Sequence, residues 1–184
     1  PVPKGQALAI TRALADADAH PEEVELIEAH GTATKAGDIA EIEGLQIAFA
    51  ENQRVGRFCA LGSIKSQIGH TKSAAGAASV FKMVMALHHK VLPPTIKVEQ
   101  PNPAFDWDHS PFYLNTTARP WIHRVDSPRK AALSSFGFGG SNFHMVLEEY
   151  RGASADRARR IRRFPCEMVL FSAESHEKLV AELE

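Results

Sequence analysis

Apolar residues recur at helical spacing over residues 5–19, where Leu8, Ile10, Leu14 and Ala15 predict a helix that His20-Pro21 ends. Val24 to Ala29 alternates and predicts a strand, which stops at a loop of small residues, 30–34. Asp38, with Glu41 three residues on, has the pattern of a capping box. The helix it would open carries Ile39, Ile42, Leu45 and Phe49 on one face. Residues 54–61 return as a strand.

The stretch from Leu61 to Leu87 then makes a Gly- and Ser-rich turn and enters a long apolar segment. From Ala74 to Leu87 its only charge is Lys82, and a helix without a polar face is normally buried. Lys65 and His70 are expected at the mouth of this core helix, where the partly positive N-terminus favours neutral imidazole. Strand, loop and helix thus occur twice, each time with a histidine (His30, then His70) beyond the strand. Ligands of open α/β sheets gather at the carboxyl ends of strands, so both histidines could face one crevice.

Pro93-Pro94 closes the apolar helix, and Pro101 and Pro103 keep 95–110 irregular. Residues 112–114 predict a short strand, and 119–130 a polar surface loop around Trp121. Residues 131–135 and 142–148 predict two adjacent strands, joined by Phe136-Gly137-Phe138-Gly139-Gly140-Ser141, whose glycines permit positive φ. Residues 151–165 are rich in Arg, Ala and Ser and read as a linker. A strand at 168–172 and a helix at 174–184 open what reads as a further module.

A net charge of −1 gives no global field for nucleic acid or membrane, and no apolar run is long enough to span a bilayer. Two cysteines, Cys59 and Cys166, make no disulfide framework, which fits a reducing, cytoplasmic setting. The nine histidines lack zinc-ligand spacing, and His109, His123 and His144 receive no role. The Phe136–Ser141 loop lacks the strand–loop–helix context and the lysine of a nucleotide site. No resident cofactor or metal is expected. The chain starts at Pro1 without an initiator Met, and a piece of a larger protein is expected.

Three motifs carry a resemblance: HGTAT after the first strand, KSQIGHTKSAAG before the apolar helix, and SSFGFGGSNFHMVLEEY near the end. In this order they resemble the C-terminal half of a β-ketoacyl synthase, the condensing enzyme of fatty-acid and polyketide synthases. LPPTIKVEQPNP, SPFYLNTTARPW and VLEEY are similar to the polyunsaturated-fatty-acid type of multidomain synthase. The resemblance implies an α/β chain that is half of a thiolase-like α-β-α-β-α layered fold. Residues 1–150 would be the ketosynthase subdomain, 151–165 a linker, and 166–184 the start of a ketosynthase–acyltransferase linker module.

The family transfers an acyl group to a cysteine and condenses it with the enolate of a decarboxylated malonyl thioester. That cysteine belongs to the other half, so this chain alone is expected to be inactive. By resemblance, His30 and His70 are the catalytic histidines and Lys65 orients their site. Phe138 supplies an oxyanion-hole N–H and a gating ring, while Thr32 and Thr34 hold the phosphopantetheine arm. The partners implied are the N-terminal half, the acyl carrier protein that bears the substrates, and a second copy in a homodimer. The motifs depart from the usual pattern at Ala33, which replaces a glycine, and at Gln67, which replaces an asparagine. Two alternatives stand beside the enzyme: a non-catalytic acyl- or pantetheine-binding module, and an inert structural fragment. A cysteine elbow upstream would favour the enzyme.

Overall fold

A computed structural model describes residues 1–52, 54–103, 105–124, 126–152 and 173–183. The chain divides into two compact units, Pro1–Tyr150 and Arg151–Glu184.

The first unit is a five-stranded sheet with helices on both faces. Its strands are β1 (Val24–Glu28), β2 (Cys59–Gly62), β4 (Phe112–Leu114), β6 (Lys130–Phe136) and β7 (Asn142–Glu148), and β3 (Val91–Leu92) and β5 (Arg119–Pro120) pair separately. The spatial order is β4-β2-β1-β6-β7, parallel except for the antiparallel edge strand β7. Helices α1 (Pro3–Asp16) and α2 (Lys35–Ala48) cover one face through Ile10, Leu14 and Leu45, which meet Val24, Ile27 and Phe112. After the one-turn helix α3 (Lys65–Ile68), α4 (Ala75–His89) covers the other face through Met83, Ala86 and Leu87. The expected α/β class holds.

Several expectations change, each for a physical reason. β1 is buried along its whole length rather than on alternate sides, because strands flank it and helices cover both faces. Of the expected 54–61 strand only 59–61 forms, and the strand runs one residue further, to Gly62. Helix α2 begins at Lys35, and Thr34 caps it by accepting the Gly37 N–H at 3.2 Å, so Asp38 is not the N-cap. Ile39 is exposed. Helix α4 is not buried all round: Phe81 and Val84 face outward, while its one charge, Lys82, points into the core. Trp121 is no surface residue; its ring is buried and its Nε1–H donates to Glu25 at 2.8 Å.

In the second unit, α5 (His176–Leu183) follows Ser175, whose Oγ accepts the Lys178 N–H. Residues 153–172, with the expected strand at 168–172, most of the 151–165 linker, and Cys166, lie outside the described residues.

Candidate active site

The chain runs outward from β1 to β2 to β4 and returns on the other side of β1 as β6. Connections therefore diverge at the carboxyl end of β1, where an open α/β sheet leaves a crevice. His30 stands there, on the loop between β1 and α2.

A carboxylate holds that loop. Glu41, buried in α2, accepts the backbone N–H groups of His30 at 2.6 Å and Gly31 at 2.9 Å. Burial pushes its carboxyl up to about 7, against the pull of those two amides. Gly31 has φ +48°, and a Cβ there would lie 2.7 Å from the Ser63 Cβ, so only glycine lets the two loops touch. Ala33, which departs from the motif's glycine, has φ +58° and occupies the left-handed region at a steric cost.

The second loop follows β2. Here the structure departs from the expected helix mouth: Lys65 opens the separate turn α3, and His70 lies in the loop between α3 and the 3-10 turn Lys72–Ala74. The loop is pinned at Ser63, whose N–H donates to Thr95 Oγ1 at 3.1 Å, and at Ile64, whose N–H donates to the buried Glu28 carboxylate at 2.6 Å. Gln67, the second motif departure, donates to the Pro94 carbonyl at 2.8 Å.

The two histidines meet. Their ring centroids are 6.0 Å apart at 88°, edge to face. The Phe136 N–H at the end of β6 donates to His30 Nδ1 at 3.3 Å, and the Lys72 N–H donates to His70 Nδ1 at 3.0 Å. A backbone N–H can only donate, so each Nδ1 is an acceptor and each neutral ring carries its proton on Nε2. Burial, then the charges of Lys65 and His70, lowers the His30 pKa to about 4, so its ring is neutral at pH 7. Lys65 is lowered as well, by burial, against the pull of Glu28 and Glu41.

The Phe136 ring lies 5.7 Å from His30. Phe138 begins a tight turn after it, in which Gly139 and Gly140 have φ +78° and +87°. The Phe138 ring lies outside the described side chains, so the expected gate is without a description. A cleft of about 1030 Å³ is lined by the polar Thr32, Lys65 and His70 and by the apolar Ile42, Leu61 and Trp107. The Thr34 oxygen is engaged in capping α2. Cys59 is fully buried at the start of β2, and burial pushes its thiol well up, which unsuits it as a nucleophile. Among the described residues no cluster of His, Cys, Asp and Glu could hold a metal, and no helix is long and apolar enough to cross a membrane.

Sequence reasoning brought His30, His70 and Lys65 forward and missed Glu28, Phe136 and Thr95. It took Glu41 for a capping residue. The available signal was two glutamates in a strand otherwise made of Val, Leu and Ile. A charge in a strand buried on both faces needs a partner.

Residues 1–99 match the β-ketoacyl synthase C-terminal domain, and residues 101–184 match the ketoacyl-synthetase C-terminal extension. The chain is 48% identical over 132 residues to polyketide synthase PksL of Bacillus subtilis (strain 168), covering 72% of this chain and 3% of that protein. It is 42% identical over 186 residues to a polyunsaturated fatty acid synthase polypeptide of Thraustochytrium sp., covering 98% of this chain and 6% of that protein. Among solved structures, the ketosynthase from module 6 of the Bacillus subtilis 168 bacillaene synthase superposes with a TM-score of 0.79 at 43% identity. That match covers 83% of this chain and 27% of the ketosynthase. The chain thus spans a small part of its curated relatives and about a quarter of the solved ketosynthase domains. It belongs to the β-ketoacyl synthase family, of which it carries the C-terminal domain and the extension that follows.

Proposed function

We propose that this chain supplies the histidine half of a decarboxylative condensing site, and that a complementing N-terminal half supplies the nucleophilic cysteine. The observation that carries the reading is the pair of imidazoles, edge to face at 6.0 Å, each accepting a backbone N–H at Nδ1. That leaves Nε2–H of each ring as the donor for a substrate oxygen. Two neutral donors suit the oxygen of a thioester enolate, because a neutral N–H stabilises the oxyanion without readily quenching the carbanion.

In this reading a malonyl thioester, carried on the phosphopantetheine of an acyl carrier protein, loses CO2. The electron pair of the breaking C–C bond becomes the enolate, whose oxygen takes hydrogen bonds from His30 and His70. The enolate carbon attacks the acyl thioester on the cysteine. The tetrahedral oxyanion is held by the Phe138 N–H together with the cysteine's own N–H, and collapses to release the thiolate. Lys65 holds positive charge beside His30 and favours its neutral form. Thr32 and Thr34 bind the pantetheine arm. Residues 1–150 act as the ketosynthase subdomain, with 151–165 as linker and 166–184 opening the next module, and the complete enzyme works as a homodimer. Phe81, Val84, Phe143 and Met145, exposed on α4 and β7, offer apolar surface to the complementing half.

The test is condensation of labelled malonyl thioester by the complete domain. His30→Ala and His70→Ala are each expected to lower the rate by about 10²–10⁴-fold. The chain without its complementing half is expected to be inactive. Condensation at the parent rate in either histidine variant overturns the reading.

A further inference from the structure

Glu28 and Lys82 form the most deeply buried lysine–carboxylate pair among the described residues, and the reaction scheme above leaves both unused. The Glu28 side chain is 0% exposed and that of Lys82 7%, with Nζ 2.6 Å from Oε2. Removing two such charges from water is costly, and an apolar pair of similar volume is often at least as stable. Stability alone therefore does not account for a lysine in an otherwise apolar helix.

The second carboxylate oxygen gives the account. Glu28 Oε1 accepts the Ile64 N–H at 2.6 Å, with Ser79 Oγ 3.5 Å away. Ile64 immediately precedes α3, which has four residues and is too short to persist unaided. Glu28 itself ends β1, just ahead of His30. One carboxyl group thus ties the strand end that carries His30 to the turn that carries Lys65 and leads to His70. Lys82, reaching from α4, fixes that carboxyl group in place and compensates its charge.

We infer that Glu28 and Lys82 are positioning residues that set the mutual placement of the two imidazoles, rather than a pair retained for stability. The inference rests on the condensing reading for its kinetic consequence, and on geometry alone for its structural one. Neither side chain is placed to touch substrate.

The experiment compares Glu28→Met, Lys82→Met and the double variant, an apolar pair of similar volume, in the complete ketosynthase domain. It measures the unfolding midpoint, the condensation rate with malonyl thioester, KM, and the ¹⁵N–¹H imidazole signals of His30 and His70. Each single variant leaves a buried group unmatched and lowers both stability and rate. The double variant is expected to recover the parent's unfolding midpoint while its kcat stays about 100-fold down, as misplaced reacting groups require, with KM little changed. Its imidazole signals are expected to be displaced from the parent positions. A double variant that condenses within about threefold of the parent, under the same constraint on reacting geometry, overturns the inference. A double variant that fails to fold overturns it too, because the pair then acts through stability. If the parent does not condense, or His70→Ala condenses at the parent rate, the condensing reading fails instead. The imidazole signals then decide the positioning claim: displaced, it stands; unmoved, it falls.

Discussion

Both ends of β1 carry a buried glutamate, and the two do opposite things. Glu25, at the entry of the strand, sits where the register with β6 shifts. Arg54 at 3.0 Å, Trp121 Nε1 at 2.8 Å and His123 Nδ1 at 2.6 Å surround its carboxylate, and together they hold its pKa below the usual range despite burial. Glu28, at the exit, is raised by burial against the pull of Lys82 and the Ile64 amide. Glu41, close by, is raised to about 7. The entry is a latch in which three side chains hold one carboxylate. The exit uses buried charge to hold backbone amides beside the two imidazoles, and leaves His70 and Lys65 lining the cleft. Charge buried at one end serves stability, and charge buried at the other serves placement.

The sharpest way to break this comparison is at the entry. Glu25→Ala leaves the Trp121 N–H and the His123 ring without their acceptor and is expected to cost roughly 2–4 kcal/mol. Urea unfolding of the complete domain measures this, and the condensation rate per folded molecule is expected to be unchanged. A lowered rate would show that the two ends are coupled.

Glu41→Gln probes the exit through pH. The unfolded carboxyl ionises near 4.5 and the folded one near 7, so between these values the folded state holds the extra proton. Stability from this group therefore falls as pH rises from 4.5 to 7 and is level above, a change of about 3 kcal/mol. The Gln variant is expected to lose that slope, which unfolding midpoints at pH 5 and pH 7 check. It also turns an NH₂ group towards one of the two loop amides, so the condensation rate is expected to fall with it.

Thr34→Ala removes the cap of α2 and is expected to cost about 1 kcal/mol, with Thr34→Ser restoring most of it. The smallest effect is at Ala33. Ala33→Gly relieves a left-handed alanine and is expected to stabilise by about 0.5–1 kcal/mol, read as a small rise in unfolding midpoint.

Much of the candidate site was legible because its motifs are local. HGTAT and KSQIGH are contiguous, so His30, Lys65 and His70 could be named before any fold was known. The paired strands around the glycine turn were legible too, since two apolar runs joined by glycines have few other solutions. The capping box at Asp38 misled because Thr34 offered a cap earlier, and the acid three residues past Asp38 had a tertiary use. The apolar pattern of α4 misled in the other direction. Phe81 and Val84 look like core and face outward, and Lys82 looks like surface and lies in the core.

The sequence by itself determined the family, most of the element types, and which side chains are candidates for the chemistry, because each depends on contiguous residues and local periodicity. Only the tertiary structure decided that the imidazoles meet, which nitrogen of each carries the proton, and what the buried acids hold. Those depend on contacts such as Phe136 with His30 and Lys82 with Glu28, between residues far apart in the chain, and chain closure rather than local pattern brings them together.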